Sequence, residues 1–447
     1  MFALEEAPCR EAESERRWSH DNACFTALLV LHEQRRLVCL WLDVHNSSGG
    51  TLLGKDLARQ AATSLNGHGL PTLHIVDTTL REGEQFCHAH FTSAQRVTLA
   101  RQLDAFSVDI LEVPSPRLSP QTDADVRAIA ALGLRALVVA HLRCVAEDLD
   151  AALAAGVGGV HLFYGASPHL RAHSHGRSLA QVAAEAAEQV RRAREIGLYT
   201  RFSAEDAFRT PLEDLLPIFD AVIEAGVQRI GLPDTVGIAT PWLVLERVGT
   251  VHERYPEVGI EFHGHNDTGC AVANALAALE AGADCIDVTV LGIGERNGIT
   301  SLSGLIAAVY PRWRSLLAPY DLPRLPELDR LVAEWLDIPI PFNSPITSDS
   351  AFSHRAGVHT KAVLQMPGAY EILNPKSFGL PRYIDTTSRM VGHHALSARA
   401  TVLGLTLHSS AARAAAAHIK GLADEGQLSQ HTVDSVIRRF AEVNVQL

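Results

Sequence analysis

From about residue 73 to residue 310 the chain repeats one pattern eight times: a short β-branched run, a polar residue or two, then a longer Ala/Leu/Arg/Glu segment of helical period. Short runs of this kind bounded by polar residues read as strands, and longer segments with period 3.6 read as helices. The runs end near Thr78, Val113, His141, Tyr164, Ser203, Leu232, His263 and Val290, and the helical segments include 93–106, 179–196, 212–225 and 270–281. Strands alternating with helices build parallel sheets, and eight such units over roughly 240 residues match the size of a (β/α)8 barrel. An open doubly wound sheet competes, but it has no need of polar residues at every strand end. The expected fold is α/β, a (β/α)8 TIM barrel with a mixed C-terminal extension.

The strand ends carry the chemistry. The first run passes from His74-Ile-Val into Asp77, then Arg81, Glu82 and Gln85; the later ones offer Glu112, His141, His161, the trio Arg201, Ser203 and Glu205, then Asp234 and Thr235, then His263 and His265. In a closed parallel barrel these ends converge on one mouth. Residues i and i+2 of a strand face the same way, so His263 and His265 can share one metal ion. Glu82 makes the set two histidines and one carboxylate, which leaves open positions as a catalytic ion requires. A His-x-His pair alone also arises by chance in a chain with 22 histidines, so the pair by itself leaves the metal open. Arg81, Arg201, His141 and Ser203 would surround the same mouth, arginine being suited to bidentate recognition of a carboxylate or phosphonate. The other reading of each arginine is a structural ion pair with Glu112 or Glu205.

Composition narrows the partners. A net charge of -12 should repel nucleic acid and anionic membranes, so an anionic substrate needs a locally basic pocket. The seven cysteines are an odd number without a Cys-x-x-Cys pair, which argues for a reducing compartment. No run reaches the roughly 18 apolar residues of a membrane span. The acidic N-terminus lacks the pattern of a signal peptide, and the expected address is the cytoplasm.

Three segments are expected. Residues 1–70 are an extension to which no role attaches, with an acidic start, an apolar patch and a polar linker at 46–50; residues 71–312 are the catalytic barrel; residues 313–447 are a linker and a helical or mixed subdomain. A glycine-rich loop at 291–298 precedes a helix over 300–310, the proline-punctuated 311–345 reads as a linker, and the Ala-rich 409–423 as a helix.

Several of these stretches carry a resemblance. DTTLREGEQ at 77–85, RFSAED at 201–206, DTVG at 234–237, HGHNDTGCAVANA at 263–275, GIGERNG at 292–298, FSHRAGVHTKA at 352–362 and PGAYEIL at 367–373 resemble the homocitrate synthases. These belong to the acetyl-CoA-dependent condensing enzymes that include isopropylmalate synthase. The similarity runs in order over roughly residues 72 to 375, so several motifs in register support one another.

The resemblance implies an acyltransferase that joins the acetyl group of acetyl-CoA to a 2-oxo acid and hydrolyses the thioester. Glu82, His263 and His265 fall on ligands of one divalent ion (Mg, Mn or Zn). Arg81 falls beside the keto group, Thr235 on the proximal carboxylate, and Arg201, His141 and Ser203 on the distal one. His359 and Tyr370 fall on catalytic residues supplied by the neighbouring subunit, with Glu112 in the acid/base network. A homodimer with shared active sites is therefore expected. One position departs: where the homocitrate synthases carry an aspartate linked to the pocket and to lysine feedback, this chain has His161. That makes the pocket more basic and puts lysine sensing in doubt. The leading substrate is 2-oxoglutarate, giving homocitrate; the alternative is 3-phosphonopyruvate. A lyase or decarboxylase on the same barrel is a further class, but the lyases resemble only the barrel portion, and His359 lies beyond it. A non-enzymatic metal-binding or regulatory protein would be expected to lose some of the polar strand-end residues.

Overall fold

A computed structural model of the protein describes residues 29–33, 36–40 and 71–442, which fall into two units divided after Gly67. In the first unit β1 (Leu29–Glu33) and β2 (Arg36–Leu40) pair antiparallel. The acidic start and the polar linker of the N-terminal extension lie outside the described residues.

The second unit contains β3 (His74–Asp77), β4 (Ile110–Val113), β5 (Leu137–Arg143), β6 (Gly159–Gly165), β7 (Tyr199–Glu205), β8 (Arg229–Asp234), β9 (Gly259–Gly264) and β10 (Cys285–Val288). Each is parallel to its neighbours, and β10 pairs back onto β3 to close an eight-stranded barrel. The helices Ser93–Phe106 and Leu179–Glu195 both begin at capping boxes, Thr92 with Gln95 and Ser178 with Gln181, where each side chain satisfies the other's unpaired backbone N–H.

Alternation along the strands divides the barrel into two environments. One set of side chains, including Ile75, Leu111, Leu162, Phe202, Ile230 and Ile286, packs with the helices in the main core. The other set points inward. Val76, Ile110, Val139 and Cys285 form a separate apolar cluster there. Further along the same inward rows come Glu112, His161, Arg201, Glu261 and Asp287, all buried. A barrel interior is ordinarily filled by branched apolar residues. Here a charged layer takes that place, immediately beneath the mouth.

The stretch 311–345 is not simply a linker. It contains the helix Leu325–Leu336, whose Leu325, Leu328, Val332 and Leu336 are buried in the main core. The prolines misdirect the sequence reading because Pro323 and Pro326 sit in first turns, where no N–H is required. The Ala-rich helix spans Ser409–Glu425, and with His393–Val402 and Gln430–Glu442 it builds a second core around Leu396, Ala412, Ile419 and Ile437. Among the described residues no helix is long and apolar enough to cross a membrane.

Candidate metal and substrate site

The C-terminal ends of the strands surround a cavity of ≈ 290 Å³ lined by Arg81, Glu82, His141, His161, Ser203, Thr235, His263 and His265, with Gln85, Phe163, Glu205, Pro233, Glu295 and Arg296. Eight of the residues expected at the site therefore meet in one place. Glu82, His263 and His265 each offer a ligand atom, all within 4.8 Å of one another. The two rings face each other through Nε2, 3.3 Å apart, while Nδ1 of His263 is held 2.9 Å from Oδ2 of Asp287. A carboxylate behind a histidine fixes the tautomer and turns the other nitrogen toward a metal. Burial lowers both imidazole pKa values, His265 to about 4, so both rings present neutral lone pairs. Burial opposes ionisation of Glu82, but Arg81, with the Glu295 N–H, outweighs it and keeps the carboxyl below its ordinary value. A neutral-imidazole, ionised-carboxylate set with a carboxylate behind it fits a divalent cation.

Backbone close approach shapes the same region. A β-carbon on Gly231 would fall 1.9 Å from Ser203 Oγ, and one on Gly294 would fall 2.9 Å from Glu82 Oε1. Glycine at these two positions leaves room for the hydroxyl and for the carboxylate. The loop carrying Gly294 also donates the Glu295 N–H to Glu82 Oε1 at 2.9 Å.

Beneath the cavity lies the charged layer. Arg81 donates through Nε to Glu112 at 2.7 Å and through Nη1 to Glu82. Arg201 donates to Glu112 Oε2 at 2.6 Å, pairs with Glu261, and has Asp287 at 3.9 Å. Structural pairing with Glu112 thus holds for both arginines. Burial opposes the charge on Glu112, yet Arg81 and His161 keep its carboxyl well below the ordinary range. Glu261 has the opposite balance: burial pushes it up to about 7 although Arg201 opposes the shift.

Arg201 does not line the cavity. It is 1% exposed and sits two residues before Ser203 on β7, one inward position deeper, so in this structure it is held by Glu112 and Glu261 rather than facing the mouth. His161 connects the two levels, with Nδ1 2.6 Å from Glu112 and Nε2 2.6 Å from Ser203 Oγ. Burial, then Arg201, lowers its pKa. The ring enters the pocket as a neutral group. His141, stacked on Phe163 at 4.4 Å between centroids, is likewise driven well below its ordinary value, first by burial. Thr235 Oγ1 accepts the Asp206 N–H at 2.9 Å, which leaves its own proton free to donate into the cavity.

His359 and Tyr370 are placed elsewhere. His359 lies on the helix Gly357–Gln365 and Tyr370 just past its end, their rings 4.3 Å apart and both exposed. Neither lines the cavity of its own chain.

The sequence reading missed Asp287, Glu295 and Arg296. Asp287 was detectable, because it follows Cys285 by two on the last strand and so shares its inward direction. Arg296 pairs with Asp267 and the Thr235 carbonyl across two loops, a contact that no local pattern announces.

Two family models match the chain: HMGL-like over residues 72–332, and homocitrate synthase post-HMGL domain-like over residues 346–427. The mitochondrial homocitrate synthase of Yarrowia lipolytica is 46% identical over 367 residues, 82% of each chain. The cytosolic isozyme of Saccharomyces cerevisiae is 45% identical, covering 83% of this chain and 87% of its own. The chain belongs to the homocitrate synthase family. The HMG-CoA lyase of Bacillus subtilis shares the homocitrate synthase barrel with a TM-score of 0.55 at 20% identity, covering 61% of this chain and 96% of its own, a likeness of fold alone. The post-HMGL match covers the segment that carries His359 and Tyr370.

Proposed function

We propose that this chain is a homocitrate synthase: it condenses acetyl-CoA with 2-oxoglutarate and hydrolyses the thioester, releasing homocitrate and CoA. The observation that carries this reading is the convergence of Glu82, His263 and His265 with Arg81 and Thr235 on one cavity, in a member of the homocitrate synthase family. A divalent cation held by Glu82, His263 and His265 would supply Lewis-acid polarisation of the keto oxygen. Arg81 stands beside that position as a fixed positive charge, and the free Thr235 hydroxyl proton suits the proximal carboxylate. His141 and Ser203, with Arg201 behind them through His161, form the region that receives the distal anion. A base takes a proton from the acetyl methyl, whose carbon then bonds to the keto carbon.

The base is assigned to His359 and Tyr370 of a second copy of this chain, acting with Glu112 beneath the pocket. Their exposure, and their absence from the lining of their own chain's cavity, favour delivery in trans, and hence a homodimer. Val358, Met366 and Ile372 expose apolar surface around the pair, as an unoccupied interface would. We place the enzyme in the cytoplasm, in keeping with its scattered cysteines.

His161 bears on the alternative substrate, 3-phosphonopyruvate. A neutral ring engaged by Glu112 and Ser203 adds no positive charge for a phosphonate, which favours the dicarboxylate. The test follows CoA thiol release with 2-oxoglutarate, oxaloacetate, 3-phosphonopyruvate and 2-oxoisovalerate. 2-Oxoglutarate should have the highest kcat/KM, and 2-oxoisovalerate should be poorer by on the order of 10⁴-fold, because it leaves buried polar groups unpaired. A lead for 3-phosphonopyruvate would transfer the assignment to that substrate, and a lead for 2-oxoisovalerate would refute recognition of a distal anion.

A further inference from the structure

His359 and Tyr370 face solvent, yet the chain around them is anchored to the barrel. Phe352 and Phe378 are buried in the main core and stack with centroids 6.2 Å apart. Directly after Phe352 comes β11 (Ser353–His354), which pairs in parallel with β12 (Tyr383–Ile384), and the Tyr383 N–H donates to the Phe352 carbonyl at 3.0 Å. This short ladder, rooted in the core, brings His354 and the residue before β12, Arg382, to one carboxylate, that of Glu371.

Glu371 follows Tyr370 directly, and its side chain is 7% exposed where Tyr370 is 50% exposed. Arg382 donates through Nε to Oε1 and through Nη2 to Oε2, both at 2.5 Å, and His354 Nε2 lies 2.8 Å from Oε1. Bidentate guanidinium pairing is directional as well as strong, so it fixes the carboxylate in orientation as well as in place. Hydrogen bonds from Arg382, with His354 adding to them, keep the carboxyl below its ordinary value despite burial. The backbone alone would hold this stretch weakly: the N–H groups of Ala369, Tyr370 and Glu371 reach only the carbonyls of Met366 and Pro367, within a single turn. Residues 366–373 offer no other charged side chain. Among the described residues neither the Tyr370 hydroxyl nor a His359 ring nitrogen has a hydrogen-bond partner, although the two rings lie 4.3 Å apart. The phenol is therefore held in place through its neighbour, and its hydroxyl stays free for a reacting group.

We propose that Glu371 is a positioning residue for the condensation: clamped between His354 and Arg382, it sets the phenol of Tyr370 against the imidazole of His359 and so fixes where the pair arrives in the cavity of a second copy. Displacing a reacting group by about 1 Å can cost on the order of 10²-fold in rate. Glu371 acts through Tyr370 and makes no bond to the substrate itself. This inference rests on the reading above that His359 and Tyr370 act in trans.

The test uses Glu371→Gln, which keeps the shape of the side chain and removes its charge, with Glu371→Asp, which keeps the charge and shortens its reach, as a second variant. Hydrogen exchange followed by mass spectrometry should quicken in peptides covering 366–374 and stay as in wild type over the barrel strands. The kcat should fall roughly 10- to 100-fold. The KM for 2-oxoglutarate should stay near its wild-type value, since the residues that line its cavity lie on the barrel strands and their loops. In a Tyr370→Phe background the same Glu371→Gln change should lower kcat by less than about threefold more, because residues that act as a unit are not additive. A purely structural role would give the same factor in both backgrounds. That result, or unchanged exchange with full turnover, would overturn the proposal. Full turnover by His359→Ala and by Tyr370→Phe would instead defeat the base assignment, and exchange over 366–374 would still decide whether Glu371 holds the segment.

Discussion

Oδ2 of Asp287 lies 2.9 Å from Nδ1 of His263, so the ring presents Nε2 to His265 and Glu82. Asp287→Asn should therefore weaken metal binding about 10- to 100-fold, the usual cost of losing a carboxylate behind a ligating histidine. Glu82→Ala should lose more, giving up both bound metal and turnover. Elemental analysis and metal titration check both, and stoichiometric metal retained by Glu82→Ala would remove it from the ligand set.

Arg201 is held by Glu112 and Glu261 with almost no exposure to water. Arg201→Ala leaves those carboxylates buried without their partner, a change that typically costs roughly 3–5 kcal/mol. Denaturant unfolding should show the loss in the absence of any substrate. A variant of wild-type stability would mean that the buried pairing is unimportant for folding and that Arg201 serves substrate alone.

Burial raises the carboxyl of Asp77 from 3.8 to about 7, and its Oδ2 has no hydrogen-bond partner. A raised acid holds its proton longer in the folded state than in the unfolded one. Its contribution is complete below the unfolded value and is lost as pH rises through the folded value. Asp77→Asn stays neutral throughout, so its stability relative to wild type should climb between about pH 4 and pH 8, gaining up to about 4 kcal/mol. Thermal melts at both ends of that range suffice. A variant that gains nothing at the alkaline end would mean that Asp77 is ionised there without cost.

If His359 acts in trans, two inactive variants should complement. Random pairing of Glu82→Ala and His359→Ala subunits puts both defects in one site of each heterodimer and leaves the other intact, so about a quarter of all sites should work. Co-expression with two affinity tags isolates the heterodimer, and no recovery in that fraction would count against a shared site.

All eight strand ends were legible because polar residues interrupt apolar runs at regular intervals, and a closed barrel is the architecture that brings such ends together. His263 and His265 could be paired from alternation, and Glu82 joins them because a closed barrel brings the end of the first strand to the same mouth. Depth was harder to read. Arg201 and Ser203 share an inward direction, but which level of the barrel each occupies depends on strand tilt and on partners far away in sequence, such as Glu112 and Glu261. The helix Leu325–Leu336 was obscured by prolines that punctuate its start rather than its interior.

Beneath the mouth, two guanidiniums, Arg81 and Arg201, face four carboxylates, Glu82, Glu112, Glu261 and Asp287. Counted as fully ionised they leave two formal negative charges in a region shielded from water, where charge is poorly tolerated, and burial accordingly pushes the Glu261 and Asp287 carboxyls up to about 7. A divalent cation at Glu82, His263 and His265 would offset that charge and favour the ionised carboxylates. Loading and folding are then thermodynamically linked, since whatever binds the native state alone stabilises it. Chelation should lower the melting temperature as well as stop turnover, and a cell short of the cation would lose the protein along with its activity.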